Sequence, residues 1–445
     1  MNKVIISIII LSITNFISVG QEKLSASDAV MHALENNFQM QIANKQIEVA
    51  EKNNKWSEAG LFPTVELTAG YNHSIVDNTN NPFTFTPGLI YNGQVNPGIN
   101  ANWNIFSGFG VKITKERLEQ LETQSKGNAS LILENTAYDV LIAYYNALYQ
   151  ESQLKNFQEV YKLSKKQSKY EEDKQNLGQS NQLAVVQMKN QLLSDSINIM
   201  QQKVVRDNAY RNLLLLMNVD KDELTQSQFP ELIDSLGMPL ETIENENLTE
   251  KITNNNQNLK NQLINLELQK SNTQLQRSFL YPTLGLQVGA SPSFGNFRAL
   301  NDDNLNAETQ QISYFANVSL RYSLFDNWKN KRAVEVSKIE EEISKLNVDE
   351  LEKELITNSH NLIELYSIRN QLVNVALANK EYAKQAYDMG LTRYNLGSIN
   401  SIDLLQLRNS FLEANLNYAD LLHQRMQTYL ELYRLTGMLQ LEYNK

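Results

Sequence analysis

The side chains best able to move a proton or hold a metal at neutral pH are the four histidines, His32, His73, His360 and His423. They are scattered, and none has the two-histidine spacing that sets a pair of ligands on one face of a helix. The 445 residues contain no cysteine, which removes disulfides, thiolate chemistry and lipid attachment at an N-terminal cysteine. No glycine-rich phosphate loop is present, and the methionines are not clustered as a copper or silver path would need. Asp and Glu are plentiful on the helices, where a solvated face is their ordinary role. A formal charge of −10 opposes nucleic-acid binding, which needs clustered Lys and Arg. These residues predict a protein that is not an enzyme and uses no cofactor or metal.

The elements are more informative than the reactive side chains. Four stretches alternate apolar and polar residues at the period of a two-faced strand. They are expected at about 63–75, 97–106, 282–291 and 312–325, with a long exposed loop from about Ile75 to Val95. Val65, Leu67, Ala69 and Tyr71 share one face in the first strand, and Ile99, Ala101, Trp103 and Ile105 in the second. Leu284, Leu286, Val288 and Ala290 do so in the third, and Ala316, Val318, Leu320, Tyr322 and Leu324 in the fourth. Everything else reads as helix. Ser25 to Asp28 supplies a helix start, and Asn36-Asn37 a break. From Val111 to Gln175 one helix would run on the order of 100 Å. Its Leu133, Ala137, Val140, Tyr144, Ala147, Leu154 and Tyr161 follow coiled-coil steps of four and three. After a turn at Gly178, Leu183, Val186, Leu193, Ile197, Met200 and Val204 continue the pattern on a return helix.

The second half of the chain repeats the first. Pro282 minus Pro63, Phe325 minus Phe106, Gly397 minus Gly178 and Tyr429 minus Tyr210 all give 219. One spacing across so many landmarks means that a helix–hairpin–long helix–turn–helix unit is duplicated. Residues 21–218 form the first repeat, with its helical hairpin at about 110–217. Residues 219–247, with Pro230, Gly237 and Pro239, form a connector, and 248–445 form the second repeat, with its hairpin at about 328–438.

Residues 1–20 have the order of a secretory signal peptide: Lys3, the apolar stretch Val4 to Ile17, then small residues before Gln21. Beyond them the longest strictly apolar run is Leu213 to Met217, far too short to cross a membrane. Four strands cannot close a membrane barrel, since the smallest have about eight. Open strand edges are not tolerated in lipid. If these strands enter a bilayer the chain must oligomerise, and a trimer would give twelve strands and a cylinder of helices.

This pattern resembles the TolC-type outer-membrane efflux family. The resemblance rests on Leu61-Phe62-Pro63 and Leu280-Tyr281-Pro282 at the strand starts and on Asn104 to Gly108 and Ser323 to Asn327 at the strand ends. It also rests on the Leu-Gly turns at Gly178 and Gly397. It spans almost the whole mature chain. It implies a mainly α fold with a β-barrel part and a homotrimer whose twelve-stranded barrel sits in outer-membrane lipid above a periplasmic α-helical barrel. It also implies a passive exit duct of a tripartite efflux or type I secretion system. The partners would be a periplasmic adaptor (membrane fusion protein) and an inner-membrane transporter of RND or ABC type.

The resemblance places adaptor contacts at Leu177, Gly178, Leu396 and Gly397. It places a periplasmic gate at Asp403 and Tyr394, although Gln406, Ala184 and Ile399 stand where better-known members carry charged partners. The bland reading of Asp403 is a helix-start carboxylate stabilised by the dipole. Tyr71, Trp103, Tyr314, Tyr322 and Trp328 lie on or just beyond the strands and suit a membrane-interface girdle. The alternative from another class is a periplasmic coiled-coil structural protein that never enters a membrane.

Overall fold

The computed structural model describes residues 23–220, 229–237, 248–299 and 306–439. The expected signal peptide lies outside them, as does most of the expected connector. In chain order the first elements are β1 (Lys23–Leu24), α1 (Ala26–Asn36), α2 (Phe38–Asn53), β2 (Thr64–Asp77), β3 (Leu89–Ser107), α3 (Gly110–Asn176) and α4 (Gln182–Leu216). They are followed by β4 (Glu231–Leu232), α5 (Leu248–Asn255), α6 (Gln257–Ser278), β5 (Thr283–Ala299), β6 (Asn306–Arg321), α7 (Lys329–Asn395) and α8 (Ser401–Leu435).

Duplication is visible in the backbone. The helices α3 and α7 each have 67 residues, and α4 and α8 each have 35. Left-handed backbone at Gly108, Phe109, Gly178 and Asn218 recurs at Asn327, Trp328, Gly397 and Gly437, each 219 residues later. Local chemistry sets these boundaries. Ser25 caps α1 through a reciprocal bond pair with Asp28. The α1–α2 break comes at Asn37, whose Oδ1 accepts from the amides of Gln39 at 2.7 Å and Met40 at 3.2 Å. Its repeat counterpart Asn256 caps α6 by accepting from Leu259 N at 3.0 Å.

The chain divides into two compact units, each drawing segments from both repeats. The first holds residues up to 40, 133–249 and from 358 onward. Its main core joins Val30 and Ala33 of α1, Val140 and Tyr144 of α3, Leu213 of α4, and Leu422 and Met426 of α8. Here β1 pairs in parallel with β4, which lies in the expected connector. Ala137, Val140, Tyr144, Ala147 and Leu154 are buried as the heptad pattern predicts. The α4 pattern behaves differently: Leu183, Val186, Leu193, Ile197, Met200 and Val204 are 50–66% exposed. Their stripe is therefore not the seam between α4 and α3. A second exposed stripe, at steps of three, four and seven, runs along α7 through Leu365, Ile368, Leu372, Val375, Tyr382 and Met389.

The second unit holds residues 41–132 and 250–357. Its sheet has the order β2-β3-β5-β6, antiparallel throughout. The strands run longer than the alternation predicts: β3 begins at Leu89 and β5 continues to Ala299, so the first loop shrinks to residues 78–88. Asn and Gly weaken strand propensity between Leu89 and Asn96, but pairing with β2 on one side and β5 on the other overrides it. The β3–β5 ladder is interrupted from Asn96 to Gly98, around Pro97, which has no N–H to give. The last strand, β6, is also shifted, ending at Arg321 and leaving Tyr322 to Phe325 outside the ladder. Helix packing beside this sheet is polar. Ser271 donates to Gln120 at 2.8 Å and Thr273 to Ser337 O at 3.2 Å. At Gly127 a Cβ would lie 2.0 Å from Asn261 Oδ1.

Candidate functional site

The two helical hairpins turn in the same way. After α3, Gly178 adopts φ +71°, its amide reaching Gln175 O at 2.9 Å while Gln179 N reaches Lys174 O at 2.8 Å. After α7, Gly397 adopts φ +74°, with Gly397 N to Tyr394 O at 3.0 Å and Ser398 N to Arg393 O at 2.8 Å. This doubled bond closes a helix end at least cost when the residue in the left-handed position carries no Cβ. The return helices begin at Asn181 and Asn400, whose side chains accept from Ala184 N and Asp403 N, both at 2.9 Å. The preceding leucines, Leu177 and Leu396, are left 73% and 76% exposed. Each tip therefore offers an apolar knob on a rigid turn.

Asp403 stands on the first turn of α8, exposed, with Oδ2 accepting from Asn400 N at 3.4 Å. Its counterpart Ala184 has no carboxylate. Tyr394 is placed otherwise than Asp403. Its ring is buried among Tyr387, Leu404 and Phe411, edge-on to Tyr170, with the Lys174 ammonium 4.5 Å from its centroid. The Tyr394 hydroxyl has no hydrogen-bond partner. Asp403 and Tyr394 are thus differently situated, one in solvent and one inside the α3–α7–α8 seam.

Sheet register gathers the alternating residues onto one face. Val65 lies opposite Ala101, Ala101 opposite Val288, and Val288 opposite Ala316. Leu67, Ile99, Ala290 and Tyr314 make the next matching row, and Trp103, Leu286 and Val318 another. The reverse face carries Glu66, Asn100, Gly289, Gln287 and Asn317. All five candidate interface aromatics, Tyr71, Trp103, Tyr314, Tyr322 and Trp328, are exposed. Trp103 Nε1 donates to Leu61 O at 2.8 Å, and Tyr71 shares a 3.0 Å hydroxyl contact with Tyr91. Trp103 shares a rung with Leu286 and Tyr71 one with Phe294 through Val95, a separation of about 26 Å along the strands.

The family model for outer membrane efflux proteins matches residues 29–219 and again 248–438. The chain belongs to that family. No curated protein sequence matches it. Solved structures are similar in fold. The Campylobacter jejuni CmeC outer membrane channel has a TM-score of 0.76 at 16% identity, over 93% of this chain and 85% of that one. For VceC of Vibrio cholerae the score is 0.73 at 13% identity, over 93% and 96%. For the open state of the Neisseria gonorrhoeae MtrE channel it is 0.70 at 17% identity, over 93% and 88%. As an outer membrane efflux protein the chain is a transport duct of the outer membrane, not an enzyme, and the purely periplasmic alternative is set aside. Channels of this family are homotrimers that work with a periplasmic adaptor and an inner-membrane pump. Among the described residues no helix is long and apolar enough to cross a membrane.

One polar centre of the efflux protein was not singled out from sequence. Arg408 of α8 is fully buried and donates to Asp195 Oδ2 of α4. Asp195 also accepts from Ser164 Oγ of α3 at 2.5 Å and from Gln191 Nε2 at 2.9 Å. The signal was available: Arg408 stands four residues after buried Leu404 and three before buried Phe411, a core position for a charge. A buried guanidinium there requires a carboxylate from elsewhere in the fold.

Proposed function

We propose that three copies of this chain close into one export duct. After loss of residues 1–20, each copy would contribute two repeats, 21–218 and 248–445, joined by the connector 219–247. The observation that carries the reading is the four-stranded sheet with β2 and β6 at its edges. These two strands run antiparallel to each other, because three antiparallel pairings separate them. β6 of one copy can therefore pair with β2 of the next, and repetition of that join leaves no edge. Three copies give twelve strands, within the known range of membrane barrels. The apolar face would meet lipid. Its span from Trp103 to Tyr71 amounts to a height on the order of 20 Å once strands tilt, close to the apolar band of such barrels. Tyr322 and Trp328 would join these two in the aromatic girdles, whereas Tyr314 shares the rung of Ile99, midway between them.

The exposed stripes of α4 and α7 are suited to meet between neighbouring copies as coiled-coil seams. Leu177, Gly178, Leu396 and Gly397 would be the adaptor contacts at the periplasmic mouth. Asp403 would contribute a ring of three carboxylates there, a constriction that attracts cations. Tyr394 would hold the tip from behind, through its ring, rather than line the passage. Single-channel recording in planar bilayers tests the reading. The expected result is a cation-selective pore whose selectivity falls in Asp403→Asn with the trimer intact. A protein that forms no pore, or a pore whose selectivity ignores Asp403, would count against it.

A further inference from the structure

We infer that the loops 78–88 of three copies meet over the outer mouth of the duct and close it with an apolar ring of Phe83 and Phe85. The inference rests on the duct reading above. Along most of the sheet, the face with Val65, Leu67 and Tyr71 is apolar. The reverse face there is mainly hydrophilic, down to the rung of Asn72, Gln94, Gly295 and Thr309. At the strand ends away from the helices the two faces exchange character. The outer face turns polar with His73, Asn296 and Glu308 on one rung. The reverse face turns apolar with Phe297, and then with Val76, Ile90 and Ala299 together. A polar outer face places these rungs beyond the apolar band of a bilayer. An inner wall that met only water would gain nothing by turning apolar. Ile90 and Ala299 are 3% and 4% exposed, so the chain already folds over this rim.

The loop joining β2 to β3 at the rim supplies a second, independent observation. Asn78 N donates to Gly88 O at 2.9 Å across its base, and Asp77 Oδ1 accepts from Thr79 N at 2.9 Å. Asn81 Oδ1 accepts from Phe83 N at 3.1 Å. This bonded loop holds out two bare rings, Phe83 at 92% and Phe85 at 102% exposure. Among the described residues nothing covers them. Lipid is a poor occupant, because Asp77 stands about 20 Å past Tyr71 along the strand, beyond the polar rung.

A second copy of the chain fits. Because β2 is an edge strand, its loop starts beside the join with the neighbouring copy. A twelve-stranded barrel of ordinary spacing and tilt has a backbone radius of about 12 Å. Phe83 lies midway along its loop, far enough from either end to reach about 16 Å. Three loops can therefore bring their rings together on the axis and complete the apolar rim. Such a ring sheds water and resists ions until the loops part, a barrier separate from the Asp403 ring.

The chain has no native cysteine, so one introduced thiol reports on its own position. Phe83→Cys, Phe85→Cys and Tyr71→Cys are each made in the full chain, solubilised in detergent and treated with a short bismaleimide after the native mass is recorded. At Phe83 or Phe85, two chains of each trimer should become linked and the third left free. Tyr71→Cys, on the outer wall, should stay unlinked. In intact cells, labelling of Asn72→Cys by a bulky maleimide added outside should rise at least tenfold when Phe83→Ser/Phe85→Ser is included. A trimer that links at neither phenylalanine, or as fast at Tyr71→Cys, would overturn the proposal. So would Asn72→Cys labelling that ignores the two rings. A native mass without a trimer would instead overturn the duct reading, and this inference with it.

Discussion

Lys189 on α4 and Arg408 on α8 occupy the same place in the two copies of the helical hairpin, 219 residues apart, and meet opposite fates. Lys189 reaches Glu172 at 2.5 Å in a pair with both side chains about half exposed. Arg408 is fully enclosed and reaches Asp195, across from the other copy of the repeat. The counterpart of Glu172 is Leu391, and that of Asp195 is Ala414. In the hairpins, helix lengths, the Asn caps and the turns were kept through duplication while the interior between them became asymmetric. Backbone geometry repeats because local residues dictate it. Buried polar pairs do not, because each needs only one partner from the opposite copy.

That contrast predicts unequal costs. Asp195→Ala would leave a buried guanidinium unpaired and should lower unfolding stability by about 3–5 kcal/mol in chemical denaturation of the solubilised protein. Asp195→Leu combined with Arg408→Met should recover most of the loss. Glu172→Ala, on the exposed pair, should cost less than about 1 kcal/mol. Similar losses at Asp195 and Glu172 would break the comparison.

The tips should behave alike where the interiors do not. Gly178→Ala and Gly397→Ala each force a Cβ into the left-handed region, at about 1 kcal/mol apiece. An added Cβ meets nothing within 4 Å at either site, so backbone strain is the whole effect. A tip whose alanine variant costs several times more than the other would mean that the two turns are not equivalent.

The smallest effect is a pH dependence confined to the second copy. His423, stacked on Tyr149 at 4.6 Å, is held below the usual histidine range first by burial and further by Arg369, with Asp420 opposing. Its repeat counterpart is Val204, which cannot titrate. A histidine with a lowered folded pKa contributes stability that is present above its unfolded value of about 6.5 and is lost as pH falls through the folded value. Stability measured downward from pH 7 should therefore decline, and His423→Gln should flatten that slope. An unchanged slope would remove His423 as its source.

Much of this fold was legible because it is local or periodic. The helix start at Ser25, the turn glycines and the 219-residue spacing each act within a few residues or repeat. Strand alternation gave the two faces of the sheet correctly, but not where β3 begins, since only its neighbours hold Leu89 to Asn96 extended. The Arg408–Asp195 pair spans 213 residues, and no window of sequence joins them. Similarly, the α4 heptads read as a seam but not as a seam facing outward. At the tips, Leu177 and Leu396 could be placed from their turns, while the burial of Tyr394 depends on α3 lying against it.

Native mass spectrometry of the protein extracted from outer membranes tests the central claim that one chain is a third of a closed duct. A trimer is the predicted result, and the open edges of β2 and β6 are its physical cause. A monomer that stays in solution without detergent would contradict the account, because four strands with an apolar face and two free edges would then have to be stable in water.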